Sequence, residues 1–296
     1  MLGCSVVDAW SRLRSRDELV VLTRKDVDLR DMRATREVLA PLALDAVFHA
    51  AARVGGIAAK LADPVTYLAD NLLLDTSVIV AAAELRIPEL LAVGSSAVYP
   101  ELYERPYVEA DLLGGPLESA NEGYAIAKIA AAKLCEYESR QHGLNFRVAL
   151  ASNLYGPHDH LGEDGAHLVA AALTKVHRAM VAGERTVTIW GDGTARREFT
   201  YSGDVADWLV SQVGHLSSWP DRLNLGCGTD HSVSEYYEMA REVVGYKCDF
   251  VFDLTKPSGS PRRLIDSAAA RALGWTPRTS LRDGMAATYS HLLATI

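Results

Sequence analysis

Residues 63–96, DPVTYLADNLLLDTSVIVAAAELRIPELLAVGSS, hold a helix and a strand in succession. Asp63 ahead of Pro64 reads as a helix start: a side-chain oxygen for the first free N–H groups, then a ring already at helical φ. The helix then runs through VTYLADNLLLDTSVIVAAAEL. ELLAVGS (89–95) is continuously apolar rather than alternating, as expected of a strand covered by helices on both faces. Working outward, ELVVLT (18–23), DAVFHA (45–50) and FRVAL (146–150) have the same texture and are predicted as buried strands. Strand and helix repeating at this spacing mean βαβ units, so the fold class is α/β with a doubly wound parallel sheet.

After residue 152 the loops lengthen, as in GPHDHLGEDG (156–165) and DLTKPSGSPRR (253–263), while short strands and helices still alternate. Residues 1–152 are therefore expected to form the sheet domain. Residues 153–296 mainly form a smaller C-terminal α/β lobe, with some segments returning to the sheet. The cleft between them is the expected ligand site, because open α/β sheets bind at the carboxyl ends of their strands.

Composition narrows the function. The 296 residues carry 38 acids against 30 bases, a net charge of −8, which speaks against a nucleic-acid partner. No apolar run approaches the ~18 residues of a membrane span, and MLGCSVVDAW lacks the basic start of a signal peptide. Four scattered cysteines without a CxxC fit a reduced, cytoplasmic protein with no metal site. His158 and His160 have no zinc-like spacing. The basic pairs Arg196-Arg197 and Arg262-Arg263 read as solvated faces. His49 closes a strand, Cys135 sits in an Ala-rich helix as an inert core thiol, and all the tryptophans read as packing.

The chemistry is carried by GSSAVY (94–99) and YAIAK (124–128). Ser95 ends a strand, where a parallel sheet presents reactive groups. Tyr124 and Lys128, four apart, share one helix face. An ammonium beside a phenol lowers its pKa from ~10 towards neutrality, which suits proton exchange with an alcohol or ketone. A serine hydroxyl can hold the same oxygen. This is equipment for hydride transfer at a carbonyl carbon with a nicotinamide. YxxxK alone is a weak signal; with the strand-end serine it is specific.

These residues resemble the triad of extended short-chain dehydrogenases/reductases. AAARVGGI (50–57), GSSAVYP (94–100), YAIAKIAAAKLCE (124–136), NLYGPHD (153–159), REF (197–199), VVGYK (243–247) and SPRRLID (260–266) narrow the resemblance to the GDP-L-fucose synthases. The resemblance covers essentially the whole chain. It implies a Rossmann-type sheet, NADPH as cofactor, a GDP-sugar substrate and a homodimer. The implied reaction is C4 reduction of a GDP-4-keto-6-deoxyhexose, which in that family follows epimerisation at C3 and C5. Tyr124 would give the proton to the C4 oxygen, Ser95 would hold it, and Lys128 would lower the tyrosine pKa and meet the nicotinamide ribose. His167 matches the general acid of epimerisation. Asn153 and Arg197, with Lys175 in place of an arginine, fall at substrate-binding positions. Gly3, Ala51 and Ala52 fall at cofactor-binding positions, and Arg24 would meet the 2′-phosphate.

Two departures qualify this. Where that family has a cysteine base, two residues after Ser95, this chain has Ala97, which cannot take a proton. C3/C5 exchange is therefore expected to be slow or absent. Gly3 matches the last glycine of the family's GxxGxxG turn, and the sequence begins without the strand before it, so weak NADPH binding is expected. The alternatives are a C4 reductase without epimerase activity, making another 6-deoxyhexose, and a non-catalytic relative that binds a nucleotide or a partner.

Overall fold

The computed structural model describes residues 1–101, 105–160, 166–256 and 259–295; part of the GPHDHLGEDG loop lies outside them. The chain opens with helices α1 (Leu2–Leu13) and α2 (Met32–Leu39), then strand β1 (Ala46–His49). Next come α3 (Ile57–Ala62), α4 (Pro64–Glu84) and β2 (Glu89–Ser95). They are followed by α5 (Glu122–His142), β3 (Asn145–Ala151) and β4 (Asn153–Tyr155). The rest alternates: α6 (Leu168–Ala182), β5 (Thr186–Trp190), β6 (Arg196–Tyr201), α7 (Ser202–Gln212), β7 (Arg222–Leu225), β8 (Asp230–Ser232) and α8 (Val233–Val244). It closes with β9 (Asp249–Asp253), β10 (Arg262–Arg263), α9 (Ala268–Ala272) and α10 (Leu281–Thr295).

The main sheet is parallel, in the order β1-β2-β3-β7, with Ala46 opposite Glu89, Glu89 opposite Asn145 and Val148 opposite Arg222. Its faces divide by strand alternation. Leu91 and Ala149 turn to one side, among Leu2, Val6, Leu209 and Trp275 of α1, α7 and the segment after α9. Leu90, Ala92, Val148 and Leu150 turn to the other, among Val78, Ile79, Ile129 and Ala132 of α4 and α5. Helices thus cover both faces, as the continuous apolar strands require. A second small sheet runs β10-β6-β4 with β8 against β6, and β5 pairs with β9.

Helix α4 begins where the sequence reading placed it, with Asp63 accepting from Thr66 N–H. Contrary to the sequence expectation, α4 is long and apolar enough by composition to cross a membrane. It buries Asn71 and Asp75 and packs along α5, which is the behaviour of a core helix. ELVVLT is not a strand. Among the described residues β1 pairs only with β2, so no ladder lies beside residues 18–23, and Leu19, Val20 and Val21 stay exposed.

Candidate active site

Strand β2 ends at Ser95, whose hydroxyl accepts from Ala97 N–H at 3.2 Å and starts the tight turn Ser96–Val98. This fixes Ser95 at the carboxyl edge of the sheet. Tyr124 lies in the first turn of α5, beside the Ser95 hydroxyl, and Lys128 one turn further in. The structure brings the three together.

The electrostatics differ from the sequence expectation. Lys128 Nζ donates to Asp75 Oδ1 at 3.1 Å, and His49 Nε2 meets the same oxygen at 2.9 Å. All three side chains are buried. Burial alone would raise the Asp75 carboxyl, but Lys128 and His49 hold it below the usual range. Burial raises the Tyr124 phenol above its ordinary value; Lys128 pulls the other way and Asp75 supports the rise. The phenol is therefore not lowered towards neutrality: burial outweighs the pull of Lys128, which is itself paired with Asp75.

A second network borders the first. Arg263 donates to Ser96 O at 2.9 Å and to Glu118 at 3.2 Å, and Asn121 donates to the same Glu118 oxygen at 2.5 Å. Lys60 Nζ donates to Asn121 Oδ1 at 2.8 Å and sits 4.7 Å from the centre of the Tyr124 ring. Burial lowers Lys60 to about 8, with Glu118 opposing and Arg263 adding. His167, the residue just before α6, is lowered to about 4 by burial, with Lys60 and His160 contributing. A cavity of about 190 Å³ opens here, lined by Lys60, Tyr67, Ser119 and Tyr124.

The other sequence candidates lie around this centre. Ala51 and Ala52 follow directly on β1, and Asn71 ties down the next residue by accepting from Arg53 N–H at 2.9 Å and donating to Arg53 O at 3.1 Å. Gly3 lies in the first turn of α1, which has no side-chain cap, and a Cβ there would meet nothing within 4 Å. Arg24 is in an exposed turn. Asn153 donates to Glu198 O at 3.2 Å. Arg197 is held mainly below the surface, where burial lowers it and Glu118 opposes that fall. Lys175 donates to Thr188 O at 3.0 Å and lies 5.4 Å from the Trp190 ring.

Sequence reasoning missed Lys60, Asp75, Glu118 and Arg263. Asp75 had a legible signal, an acid inside the apolar run LLLDTSVIV. Lys60 had none. Two further expectations need correction. Trp190 is 44% exposed, with Lys175 and Lys256 at its ring, so it is not packing. Arg263 is 7% exposed rather than part of a solvated face.

Fold and triad define a Rossmann protein of the short-chain dehydrogenase/reductase type. Residues 1–226 match the model of the NAD dependent epimerase/dehydratase family. GDP-L-fucose synthase of Azorhizobium caulinodans is 37% identical over 293 residues, covering 99% of this chain and 92% of that protein. A GDP-6-OMe-4-keto-L-xylo-heptose reductase from Campylobacter jejuni superposes with a TM-score of 0.91 at 26% identity, covering 100% of this chain and 95% of that one. A GDP-mannoheptose C4 reductase from the same organism, solved with NADP bound, gives 0.88 at 28% identity, covering 99% and 95%. The chain belongs to the NAD dependent epimerase/dehydratase family, on its GDP-L-fucose synthase branch.

Proposed function

We propose that this protein reduces the C4 ketone of a GDP-4-keto-6-deoxyhexose with NADPH. The observation that carries the reading is the Ser95, Tyr124 and Lys128 cluster at the carboxyl end of β2. The described residues fit the cofactor: small side chains at Ala51 and Ala52, open space at Gly3, an uncapped helix start, and an exposed cation at Arg24 for a 2′-phosphate. When bound, NADPH supplies the hydride.

The protein's own part is to hold the ketone and move a proton. Tyr124, kept as a phenol by burial, donates to the C4 oxygen as charge develops there, and Ser95 donates to the same oxygen. Lys128, fixed by Asp75, meets the nicotinamide ribose. Asn153, Lys175 and Arg197 hold the nucleotide-sugar, and the exposed Trp190 face with its two lysines suits a purine base. C3/C5 epimerisation does not follow from these residues, since Ala97 has no atom that takes a proton. We place the enzyme in the cytoplasm as a homodimer, with residues 1–152 as the cofactor domain and 153–296 mainly as the substrate lobe.

The test is incubation with NADPH and GDP-4-keto-6-deoxymannose, followed by NMR of the product. NADPH oxidation matched by a new C4 alcohol is the expected result. Binding of both compounds without turnover would favour the non-catalytic alternative.

A further inference from the structure

A ketone at C4 of a 6-deoxyhexose has two unlike flanks. C3 carries a hydroxyl, which accepts a hydrogen bond; C5 carries a methyl group, which does not. A charged donor beside the reacting carbon therefore tells one side of the sugar from the other.

Such a donor stands in the wall of the cavity beside Tyr124. Lys60 Nζ lies 4.7 Å from the centre of the Tyr124 ring, and both residues line the same space of about 190 Å³. An ammonium has three donors and no acceptor. Among the described residues Lys60 uses one of them, on the neutral Asn121 Oδ1 at 2.8 Å, and pairs with no carboxylate. Glu118, the acid of the same network, is taken by Arg263 at 3.2 Å and by Asn121 at 2.5 Å. That chain of contacts holds Asn121, and Asn121 holds the ammonium in place. The Tyr67 and Ser119 hydroxyls of the same wall also have no hydrogen-bond partner among the described residues. Leu61 and Pro64 give the rest of the wall an apolar surface. The cavity thus offers donors, one of them charged, and lacks an anionic acceptor.

We propose that this cavity is the subsite for the C3 side of the sugar, with Lys60 donating to the C3 hydroxyl, and that it selects 3-hydroxy over 3-deoxy 4-keto sugars. This rests on the reading that Tyr124 and Ser95 hold the C4 oxygen. The C3 hydroxyl is vicinal to that oxygen, so a sugar held by Tyr124 presents it to the neighbouring donor. Turned the other way, the sugar would set its C5 methyl group against the ammonium, strip water from its unused N–H bonds and return no acceptor. A 3-deoxy sugar does the same with a methylene. Lys60 thereby fixes which edge of the ring enters as well as which sugar is taken. Burial lowers Lys60 only to about 8, so it is mostly charged at pH 7.

The experiment compares GDP-4-keto-6-deoxymannose with GDP-4-keto-3,6-dideoxymannose at pH 7. Calorimetry without NADPH gives the affinity of each, and NADPH oxidation gives kcat/KM. The unaltered protein should favour the 3-hydroxy sugar ~10–10²-fold in both, the size of one hydrogen bond to a charged group. Lys60→Met should remove that preference by weakening the 3-hydroxy sugar alone. Activity on the 3-deoxy sugar then serves as the internal control for fold and chemistry. Lys60→Arg keeps a charged donor and should keep the 3-hydroxy sugar ahead. Circular-dichroism melts report the folding of each variant.

Equal affinity of the unaltered protein for the two sugars would overturn the subsite. So would a folded Lys60→Met variant that weakens both sugars alike, or a folded Lys60→Arg variant with no preference left. Reduction of both sugars without preference would leave the reductase reading intact. An affinity difference that depends on Lys60, with no reduction of either sugar, would sink the reductase reading and keep the subsite. Neither preference nor reduction would sink both.

Discussion

The Tyr124 phenol is 7% exposed, and burial sets its ionisation more than any neighbouring charge does. From the sequence, YxxxK suggested a lowered pKa; in the fold, Lys128 is committed to Asp75 at 3.0–3.1 Å. A carboxylate and an ammonium buried together largely cancel each other's effect on a third group. Tyr124 therefore waits as an acid, the form a ketone reduction uses. Tyr124→Phe removes the donated proton and keeps the ring. The expected result is a fall in kcat of ~10²–10⁴ with little change in Tm, read by NADPH oxidation and calorimetry. Retention of more than about a tenth of the activity would remove Tyr124 from the proton-donor role. Spacing made Ser95, Tyr124 and Lys128 legible, because a strand end and one helix turn are local geometry. Lys60 and Glu118 were not, because they join one network only when α3 folds against the Ser119–Asn121 turn ahead of α5, a contact no local pattern encodes.

At the level of elements, the two basic pairs show what strand periodicity does to charge. Strands β6 and β10 pair in parallel with Arg196 opposite Arg262 and Arg197 opposite Arg263. Successive side chains leave a strand on opposite faces, so each pair is split. Arg196 and Arg262 both reach Asp230 on the outer face, half-exposed. Arg197 and Arg263 go inward, where Arg263 ties Glu118 to Ser96 O beside the site. The sequence reading took both pairs as solvated because neither strand is long enough to show alternation by itself. The split predicts unequal costs. Arg262→Met should change stability by less than about 1 kcal/mol, as for exposed ion pairs. Arg263→Met leaves Glu118 buried without its main counter-charge and should cost ~3–5 kcal/mol. Urea unfolding of the two variants measures this, and equal midpoints would show that the inner pair is structurally idle.

Across the whole molecule, the parallel sheet was legible because buried strands and amphipathic helices differ in period, and α4, β2 and β3 fall where the sequence placed them. ELVVLT was misread for a reason of the same kind. Its apolar run says only that a strand would be stable if a neighbour were present, and the described residues provide none. The same reasoning applies to faces that stay largely exposed among the described residues. On the outer sides of α4 and α5, Val65, Leu73, Ile126 and Tyr137 are 43–74% exposed, while the inner sides of these helices pack on each other and on the sheet. Ile126 and Tyr137 stand about three turns apart, so they share one stripe of α5. A second copy related by a two-fold axis would bring α4 and α5 against their own equivalents, burying this stripe against itself. The homodimer proposal thus has a definite surface. The unaltered protein is expected to sediment as a dimer at micromolar concentration. Leu73→Glu with Ile126→Glu should shift it to monomer, because two like charges would meet their own images in an apolar seam. Leu73 and Ile126 are exposed where Tyr124 and Lys128 are buried, so the circular-dichroism melt of the monomeric variant separates loss of assembly from loss of fold. A monomeric unaltered protein, or a double variant that remains dimeric, would move the interface elsewhere.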